Sequence, residues 1–351
     1  MLESTSGTLT LSSTLDADAN LTLKAVNLSA GGAVSADGNL TLTLRNNLTH
    51  GVGFHAGASG GAGLLTVQVD QANSGVVTLD LNGLALSGSS ILLQGSGNDI
   101  LKGYTSGAGT WTVTGTNSGK LEHANLTNST NPNEADFSGF STLVGGDDDD
   151  LLQLQGSGTL GRFDGGAGHD TYNIAGTSQA RTVVWGQEAV NVEELIGNAG
   201  RTDSLQIGGS PQVDWDLTGG SASGEFTASS QTIAFSNFKR LVGGSGSSTF
   251  ISDGSYAGDI VLNGQNEWLF RAATPLTQGR VTGGGSLTIA RREGETANQN
   301  SNFAVSHADL YLPDLTGLTG NLIIGGRFTA GGLPLNGTTR VEINADQLAV
   351  L

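Results

Sequence analysis

Two segments rich in Gly and Asp carry the clearest signal for chemistry in this sequence. The first is GGDDDDLLQ at 145–153, and the second is GGAGHDTYN at 165–173. In both segments the glycines permit a tight turn at positive φ, where a side chain would clash. The Asp at the sixth place directs a carboxylate into the turn. The apolar residue at the eighth place, which is Tyr172 in the second segment, is predicted to face the interior.

The second segment matches the G-G-x-G-x-D-x-U-x nonapeptide and so resembles the RTX, or haemolysin-type, repeats. This resemblance implies that a calcium ion lies between the turns of successive coils, held by carboxylates and turn carbonyls. Gly145 and Gly165 are 20 residues apart, which is close to one coil. We therefore predict a calcium site from three aspartates and one glycine of these turns: Asp148, Asp150, Gly168 and Asp170.

Other turns repeat the pattern less completely. In LQGSGNDILKG (93–103) Asp99 occupies the metal place, although Gln94 stands where the first glycine belongs and no paired motif lies one coil away. We include Asp99 as a further candidate calcium ligand. In two later turns the aligned Asp is lost: Ser248 replaces it in one, and an extra residue displaces Asp203 in the other.

The Asp-rich turns have two interpretations that involve no metal. In the first, their Asp, Asn and Ser side chains bond to the backbone and stabilise the turn without an ion. In the second, they are exposed acidic turns. The run Asp147–Asp150 favours calcium, because four adjacent carboxylates repel one another and a cation would offset that repulsion.

Signals for an enzyme are poor. The five His residues (50, 55, 123, 169 and 307) are scattered without metal-ligand spacing. Adjacent aspartates in GGDDDD could mimic the acid and base of an inverting glycosidase, but such runs are more typical of calcium or solvent contacts. We predict that the chain is not an enzyme.

Saccharide binding would use an aromatic ring as a stacking platform beside polar side chains. Trp111 and Trp215 occupy equivalent places in a repeat, so we predict that both belong to the core. Trp268 lies outside that repeat and is followed by Arg271. Trp268 and Arg271 are therefore our candidate ligand-binding residues.

The elements that carry these residues are short strands. The chain has 56 Gly and 5 Pro in 351 residues, and turn residues separate short segments in which Leu alternates with Thr or Ser, as in a strand with one buried face. Such segments recur every 10 to 20 residues at the start of the chain: GTLTL (7–11), ANLTL (19–23), VNLSA (26–30) and GNLTLTL (38–44). Stacked coils of about 20 residues predict an all-β, right-handed parallel β-helix, or β-solenoid, with RTX-like turns.

The G-N-L-T-L coils resemble those of filamentous-haemagglutinin-type exoproteins, the large adhesins of two-partner secretion. Combined with RTX-like turns, the pattern resembles biofilm-matrix adhesins of pseudomonads. The resemblance implies an extracellular protein that binds exopolysaccharide. Fold analogy alone does not establish that function.

A longer repeat follows the short coils. DFSGFSTLVGGDDDDLL (136–152) and AFSNFKRLVGGSGSSTF (234–250) match at one offset of 98 residues, and an imperfect middle copy lies at 190–207. We predict three regions: short coils at 1–93, longer repeats with RTX-like turns at 94–262, and further coils or a small C-terminal β cap at 263–351.

Charge and targeting signals limit the partners and the location. The 32 acidic and 15 basic residues give a net charge of −17, which disfavours nucleic acid because phosphate binding needs basic patches. There is no Cys, and neither a signal peptide nor an apolar run of membrane-spanning length is recognisable. We expect a monomeric internal piece of a longer protein, secreted or on the bacterial surface, without membrane insertion.

These observations predict a segment of an extracellular adhesin that binds matrix exopolysaccharide, supports cell–cell or surface adhesion in biofilms and is rigidified by calcium. Two alternatives remain at this point. The segment is either a passive stalk with no ligand of its own, or a polysaccharide lyase or hydrolase on a β-helix.

Overall fold

A computed structural model shows an all-β protein that forms two compact units. One unit comprises Met1–Gln179 with Glu188–Val192, and the other comprises Ala180–Gln187 with Glu193–Leu351. There is no helix in the described part of the chain, and thus none that could span a membrane. The structure describes residues 1–46, 48–49, 53–58, 62–70, 75–217, 221–252, 256–270, 277–291 and 314–324.

The strands are short, and most have two to seven residues. In the first half of the chain they are β1 (Leu2–Glu3), β2 (Thr8–Leu11), β3 (Leu15–Ala17), β4 (Leu21–Ala25), β5 (Asn27–Ala30), β6 (Val34–Ala36), β7 (Leu40–Leu44), β8 (Leu48–Thr49), β9 (Gly53–Ala56), β10 (Leu64–Gln68), β11 (Thr78–Asp80), β12 (Ala85–Gly88), β13 (Ser90–Lys102), β14 (Thr110–Gly115), β15 (Ser118–Glu122), β16 (Leu126–Asn128), β17 (Glu134–Val144), β18 (Leu151–Gly156), β19 (Arg162–Asp164) and β20 (Thr171–Thr177).

The remaining strands begin near the boundary of the two units. They are β21 (Thr182–Trp185), β22 (Ala189–Val190), β23 (Glu194–Ile196), β24 (Ser204–Ile207), β25 (Val213–Asp216), β26 (Gly224–Ala228), β27 (Gln231–Ser236), β28 (Arg240–Val242), β29 (Ser248–Ser252), β30 (Asp259–Val261), β31 (Gln265–Phe270), β32 (Arg280–Gly283), β33 (Ser286–Arg291), β34 (Asp314–Leu318) and β35 (Leu322–Ile324).

The first unit places its early strands in three sheets that the chain visits in turn. β1, β4, β7, β10, β13 and β17 pair in one sheet. β2, β5 and β8 pair in a second, and β3, β6, β9, β12 and β16 pair in a third. Every one of these pairs is parallel. Paired residues lie about 20 positions apart in the first coils, as in Leu21 with Leu40, and up to 44 positions apart later, as in Leu92 with Asp136.

The alternation of Leu and Thr decides which face of each strand is buried. In β4 and β7 the leucines are buried, whereas Thr22 and Thr41 face outward and are only partly covered. Leu23, Leu42 and Val67 follow one another across paired strands and are at most 1% exposed. Stacked leucines therefore form the interior, as the period-2 pattern predicts.

The segment 116–134, which the sequence pattern presents as a polar loop, contains two strands. β15 pairs antiparallel with β14 on one side and with β17 on the other. The sequence signal is weak here because β15 (SGKLE) buries only Leu121. An antiparallel hairpin thus interrupts the parallel arrangement at this point.

The second unit repeats that arrangement. β25, β26 and β27 form an antiparallel meander, and β25, β29, β31, β33 and β35 pair parallel in sequence order. The ring centroids of Trp215 and Phe235 are 5.8 Å apart, and those of the equivalent Trp111 and Phe137 in the first unit are 5.9 Å apart. Both pairs are arranged edge to face. Trp111 and Trp215 are core residues, at most 1% exposed, as predicted.

The region 263–351 is described only in part. β31 to β35 continue the parallel pairing of the second unit. The predicted C-terminal cap beyond 324 lies outside the described residues. The predicted division at residues 93/94 and 262/263 follows repeat type and does not coincide with the boundary between the compact units.

Candidate functional site

The two Gly/Asp turns lie in adjacent paired strands. β18 follows the first turn and β20 follows the second, and they pair parallel with Leu151 opposite Thr171. The 20-residue spacing thus corresponds to one step between paired strands. A Cβ on Gly145 would lie 2.1 Å from the carbonyl oxygen of Gly165, so the two turns can stack this closely only with glycine at position 145.

Asp150 points into its own turn rather than into solvent. Its side chain is buried, with 4% exposed. One carboxylate oxygen, Oδ2, accepts the N–H of Gly146 at 2.5 Å, and the other, Oδ1, accepts the N–H of Gly109 at 2.5 Å. The carboxylate therefore joins its turn to Gly109, which lies 41 residues earlier and immediately before β14.

Asp170, in the second turn, also points its carboxylate inward and accepts a backbone N–H. It is fully buried, and its Oδ1 accepts the N–H of Asp150 at 2.7 Å. Asp99 is also fully buried and accepts the N–H groups of Val77 at 2.9 Å and Ser96 at 2.7 Å. All three predicted ligands that face inward are thus acceptors of backbone hydrogen bonds.

Asp203 belongs to this set although the sequence left its turn doubtful. It is fully buried and accepts the N–H of Arg181 and the N–H of Asn198, both at 2.7 Å. The one-residue insertion lengthens the turn without moving the carboxylate. Ser204 pairs with Thr182 in the same register that Leu151 shows with Thr110, which places Asp203 as Asp150 is placed.

The four aspartates share one geometry. Each accepts the N–H of the residue that immediately precedes the earlier paired strand. Asp150, Asp170 and Asp203 themselves immediately precede a strand, whereas Asp99 lies within β13. We call this set the aspartate clasps: Asp99, Asp150, Asp170 and Asp203. Hydrogen bonds to a carboxylate are stronger than those between neutral groups, so the clasps fix the start of each strand against its neighbour.

Burial raises the pKa of Asp150 above its usual value. The N–H groups of Gly146 and Gly109 and the nearby His123 oppose this shift, and the charge of Asp148 adds to it. The direction of the shift reflects the cost of keeping a charged carboxylate away from water.

The exposed aspartates of the first turn bond to neighbouring loops. Asp148 Oδ2 accepts the N–H of Gly107 at 2.6 Å, and Asp149 Oδ1 accepts the N–H of His169 at 2.8 Å. Gly168 has a φ of +118°, and a Cβ there would lie 2.7 Å from the carbonyl carbon of Asp148. Gly168 therefore lets the second turn approach the first.

A loop that the sequence did not single out lies against these turns. The Tyr104 ring stacks on His123 with 4.3 Å between ring centroids. His123 Nδ1 accepts the N–H of Asn125, and Nε2 donates to the Gly107 carbonyl at 2.8 Å. His123 thus binds the carbonyl of Gly107, and Asp148 binds its N–H. The 16-residue separation of His123 from Gly107 gives no local sequence signal for this contact.

Each inward carboxylate uses part of its acceptor capacity on backbone N–H groups, which are donors and cannot themselves ligate a cation. In the described part of the chain, no three acidic or His side chains converge as a metal site would require. The arrangement favours the interpretation in which hydrogen bonds stabilise the turns. Calcium binding stays a prediction.

The candidate saccharide residues are not an exposed pair. Trp268 is fully buried, and its Nε1 donates to Ser252 Oγ at 2.7 Å. A ring in this position has no free face for a sugar, so Trp268 serves the core. Arg271 lies outside the described residues.

No family model, curated protein or solved structure matches this chain.

Proposed function

We propose that this chain is a segment of a secreted or cell-surface bacterial adhesin that binds matrix exopolysaccharide and supports adhesion in biofilms. We infer that its fold is a right-handed parallel β-helix. The support is the order in which the chain visits three sheets of the first unit, with parallel pairs about 20 residues apart. Right-handedness follows from the strong preference of parallel crossover connections.

The observation that carries the proposed function is a column of polar side chains on the outer face of the first sheet. Lys24, Thr43, Gln68 and Gln94 lie opposite one another in four successive paired strands. Thr43 Oγ1 donates to Gln68 Oε1 at 3.2 Å, and Gln68 Nε2 donates to Gln94 Oε1 at 2.6 Å. Such a column presents hydroxyls and amides to an extended polysaccharide. They repeat at the spacing between strands, about 4.8 Å.

Calcium remains part of the proposal through the exposed aspartates. Asp147, Asp148 and Asp149 are exposed on the first turn, beside its backbone carbonyls. These oxygens are of the type that calcium prefers. Ligation by Asp150 and Asp170 would use acceptor capacity that their carboxylates retain beside the backbone N–H groups.

A passive stalk is the second candidate function. All four tryptophans are buried: Trp111, Trp185, Trp215 and Trp268. Saccharide sites commonly use an exposed aromatic ring, and buried indoles cannot provide one. This observation favours a segment whose side chains mainly hold strands together.

A pull-down with matrix polysaccharide, with a glycan array beside it, separates the two functions. We expect retention of the wild-type chain on the polymer and not on the uncoated resin. A chain that no matrix polysaccharide and no array glycan retains would be a stalk. Product analysis on the same polymers, with wild type and an Asp148→Asn/Asp150→Asn variant, tests the enzyme alternative; we expect no chain cleavage by either.

A further inference from the structure

One end of the outward polar column opens into a groove. The groove is formed by side chains from β1, β4 and β7 and the segments after them, and its polar residues are Glu3, Ser4, Thr5, Lys24, Thr43 and Arg45. Glu3 lies opposite Lys24, and Lys24 lies opposite Thr43 in the paired strands. The groove therefore continues the column that Gln68 and Gln94 extend.

The two cations of this groove differ from the other three Lys and Arg residues of the first unit in their ion pairing. That unit contains five Lys and Arg residues. Three of them form ion pairs with acidic side chains: Lys102 with Asp80, Lys120 with Glu134 and Arg162 with Asp164. Among the described residues, Lys24 and Arg45 have no ion pair, and both line the groove.

Two unpaired cations beside hydroxyls suit a ligand that carries both a carboxylate and hydroxyl groups. The Arg45 guanidinium can donate two parallel hydrogen bonds to a carboxylate. The hydroxyls of Ser4, Thr5 and Thr43 can both donate to and accept from sugar hydroxyls. In a chain with a net charge of −17, the unpaired cations mark the groove as a place where an anion is attracted.

We propose that this groove, formed by Ser4, Thr5, Lys24, Thr43 and Arg45, binds uronic acid units of an anionic polysaccharide, with the polymer continuing along Gln68 and Gln94. The inference rests on the proposed exopolysaccharide-binding function and names its ligand class. Lys24 and Arg45 hold the carboxylate, and the hydroxyls and amides hold the sugar ring. Glu3, which lies opposite Lys24 without pairing to it, opposes the bound carboxylate.

The test is calorimetric titration of the chain with an oligogalacturonate, in a buffer with chelator so that calcium cannot bridge protein and ligand. A maltooligosaccharide of the same length and inorganic phosphate are the comparison ligands. We expect binding of the oligogalacturonate alone, weakening as NaCl is added because the charges are partly exposed. Equal binding of the maltooligosaccharide, or phosphate binding that accounts for the affinity, would overturn the assignment to a uronate.

Variants locate the site. Lys24→Gln/Arg45→Gln should weaken binding by about tenfold or more, because the charge-assisted hydrogen bonds from both cations are removed. The matched control is Lys102→Gln/Arg162→Gln, which changes the net charge equally and should leave the affinity within about twofold if only the groove binds. Glu3→Gln should strengthen binding, a change that loss of folding cannot produce.

The outcomes distinguish the groove from the proposed function. If matrix polysaccharide retains the chain but the Lys24→Gln/Arg45→Gln variant binds oligogalacturonate as wild type does, the groove assignment is wrong and the adhesin proposal stands. If oligogalacturonate binds in the groove but matrix polysaccharide does not retain the chain, the adhesin proposal is wrong. No binding of either ligand overturns both.

Discussion

Asp150 joins its own turn to two other parts of the first unit through its carboxylate and its backbone N–H. Its oxygens accept the N–H groups of Gly146 and Gly109, and its own N–H donates to Asp170. A buried charge is costly unless such hydrogen bonds compensate it. Its raised pKa shows that burial outweighs the two N–H groups.

The charge of Asp150 leads to a pH prediction in calcium-free buffer. Because its folded-state pKa lies above the ordinary value of 3.8, the folded protein binds this proton more tightly than the unfolded chain does. The resulting stabilisation is complete below the unfolded pKa and is lost as the pH rises through the folded pKa. Asp150→Asn removes this contribution and also leaves one N–H group without an acceptor, at a cost of about 1–3 kcal/mol.

We therefore expect Asp150→Asn to lower the free energy of unfolding at every pH, with a smaller loss at pH 7 than at pH 4. Denaturant melts at the two pH values measure this difference. Asp147→Asn is the control, because that side chain is exposed and should change stability little. A loss that is the same at pH 4 and pH 7 would contradict the raised pKa.

Two buried tryptophans allow a matched comparison of hydrogen bonding. Trp268 Nε1 donates to Ser252 Oγ, whereas Trp215 Nε1 has no hydrogen-bond partner among the described residues. Replacement by Phe removes a similar volume at both positions. We expect Trp268→Phe to destabilise the protein by about 1 kcal/mol more than Trp215→Phe, because it also strands the Ser252 hydroxyl. Equal losses in urea melts would show that the Trp268–Ser252 bond contributes nothing net.

At the scale of the strand, two kinds of side-chain bond fix the register. In the early coils asparagine acts on the following strand: Asn20 Oδ1 accepts the N–H of Asn39 at 2.8 Å, and Asn39 Oδ1 accepts the N–H of Leu64 at 2.9 Å. In the aspartate clasps the carboxylate accepts an N–H from the start of the preceding paired strand. A one-residue slip would turn the leucines outward, and both kinds of bond oppose it.

Asn39→Ala tests the asparagine bond. We expect a loss of about 0.5–1.5 kcal/mol, since the N–H of Leu64 loses its side-chain acceptor. Asn46→Ala is the control, because Asn46 is exposed and its backbone N–H, rather than its side chain, bonds to Val26 within the part of the chain that the structure describes. Urea melts that show the same loss for both variants would mean that the Asn39 side chain does not hold the register.

At the scale of the whole molecule, net charge and calcium are linked. With a net charge of −17, the folded chain is subject to self-repulsion, and a cation bound at the first turn would relieve part of it. We expect the melting temperature to rise on addition of millimolar calcium, the range typical of extracellular sites, and to fall again on addition of chelator.

Variants separate site-bound calcium from general screening. Asp148→Asn/Asp149→Asn should reduce the rise if the exposed aspartates bind the ion, and Asp150→Ala/Asp170→Ala should abolish it if the inward carboxylates do. Magnesium at the same concentration controls for screening. No shift with calcium would leave the turns stabilised by hydrogen bonds alone.

The sequence by itself determined the strands and the interior. Leu alternating with Thr in β4 and β7 buries Leu in a strand of either sheet direction, because the period of two is local. Equivalent places in the longer repeat likewise indicated that Trp111 and Trp215 are buried, and both are at most 1% exposed. The 20-residue spacing of the two Gly/Asp turns indicated correctly that they lie side by side.

Tertiary structure alone decided what each carboxylate contacts. The partner of Asp150 lies 41 residues away in Gly109, and a turn motif carries no information about which N–H group will stand opposite it. The same holds for β15. Its antiparallel pairing with β14 and β17 supplies backbone hydrogen bonds, but its weak alternation of apolar and polar residues does not predict a strand. Trp268 is buried because β31 lies between β29 and β33. Pairing between strands that are distant in sequence therefore determines which side chains are buried and which groups form hydrogen bonds. That pairing depends on the whole stack of strands, and no local motif contains it.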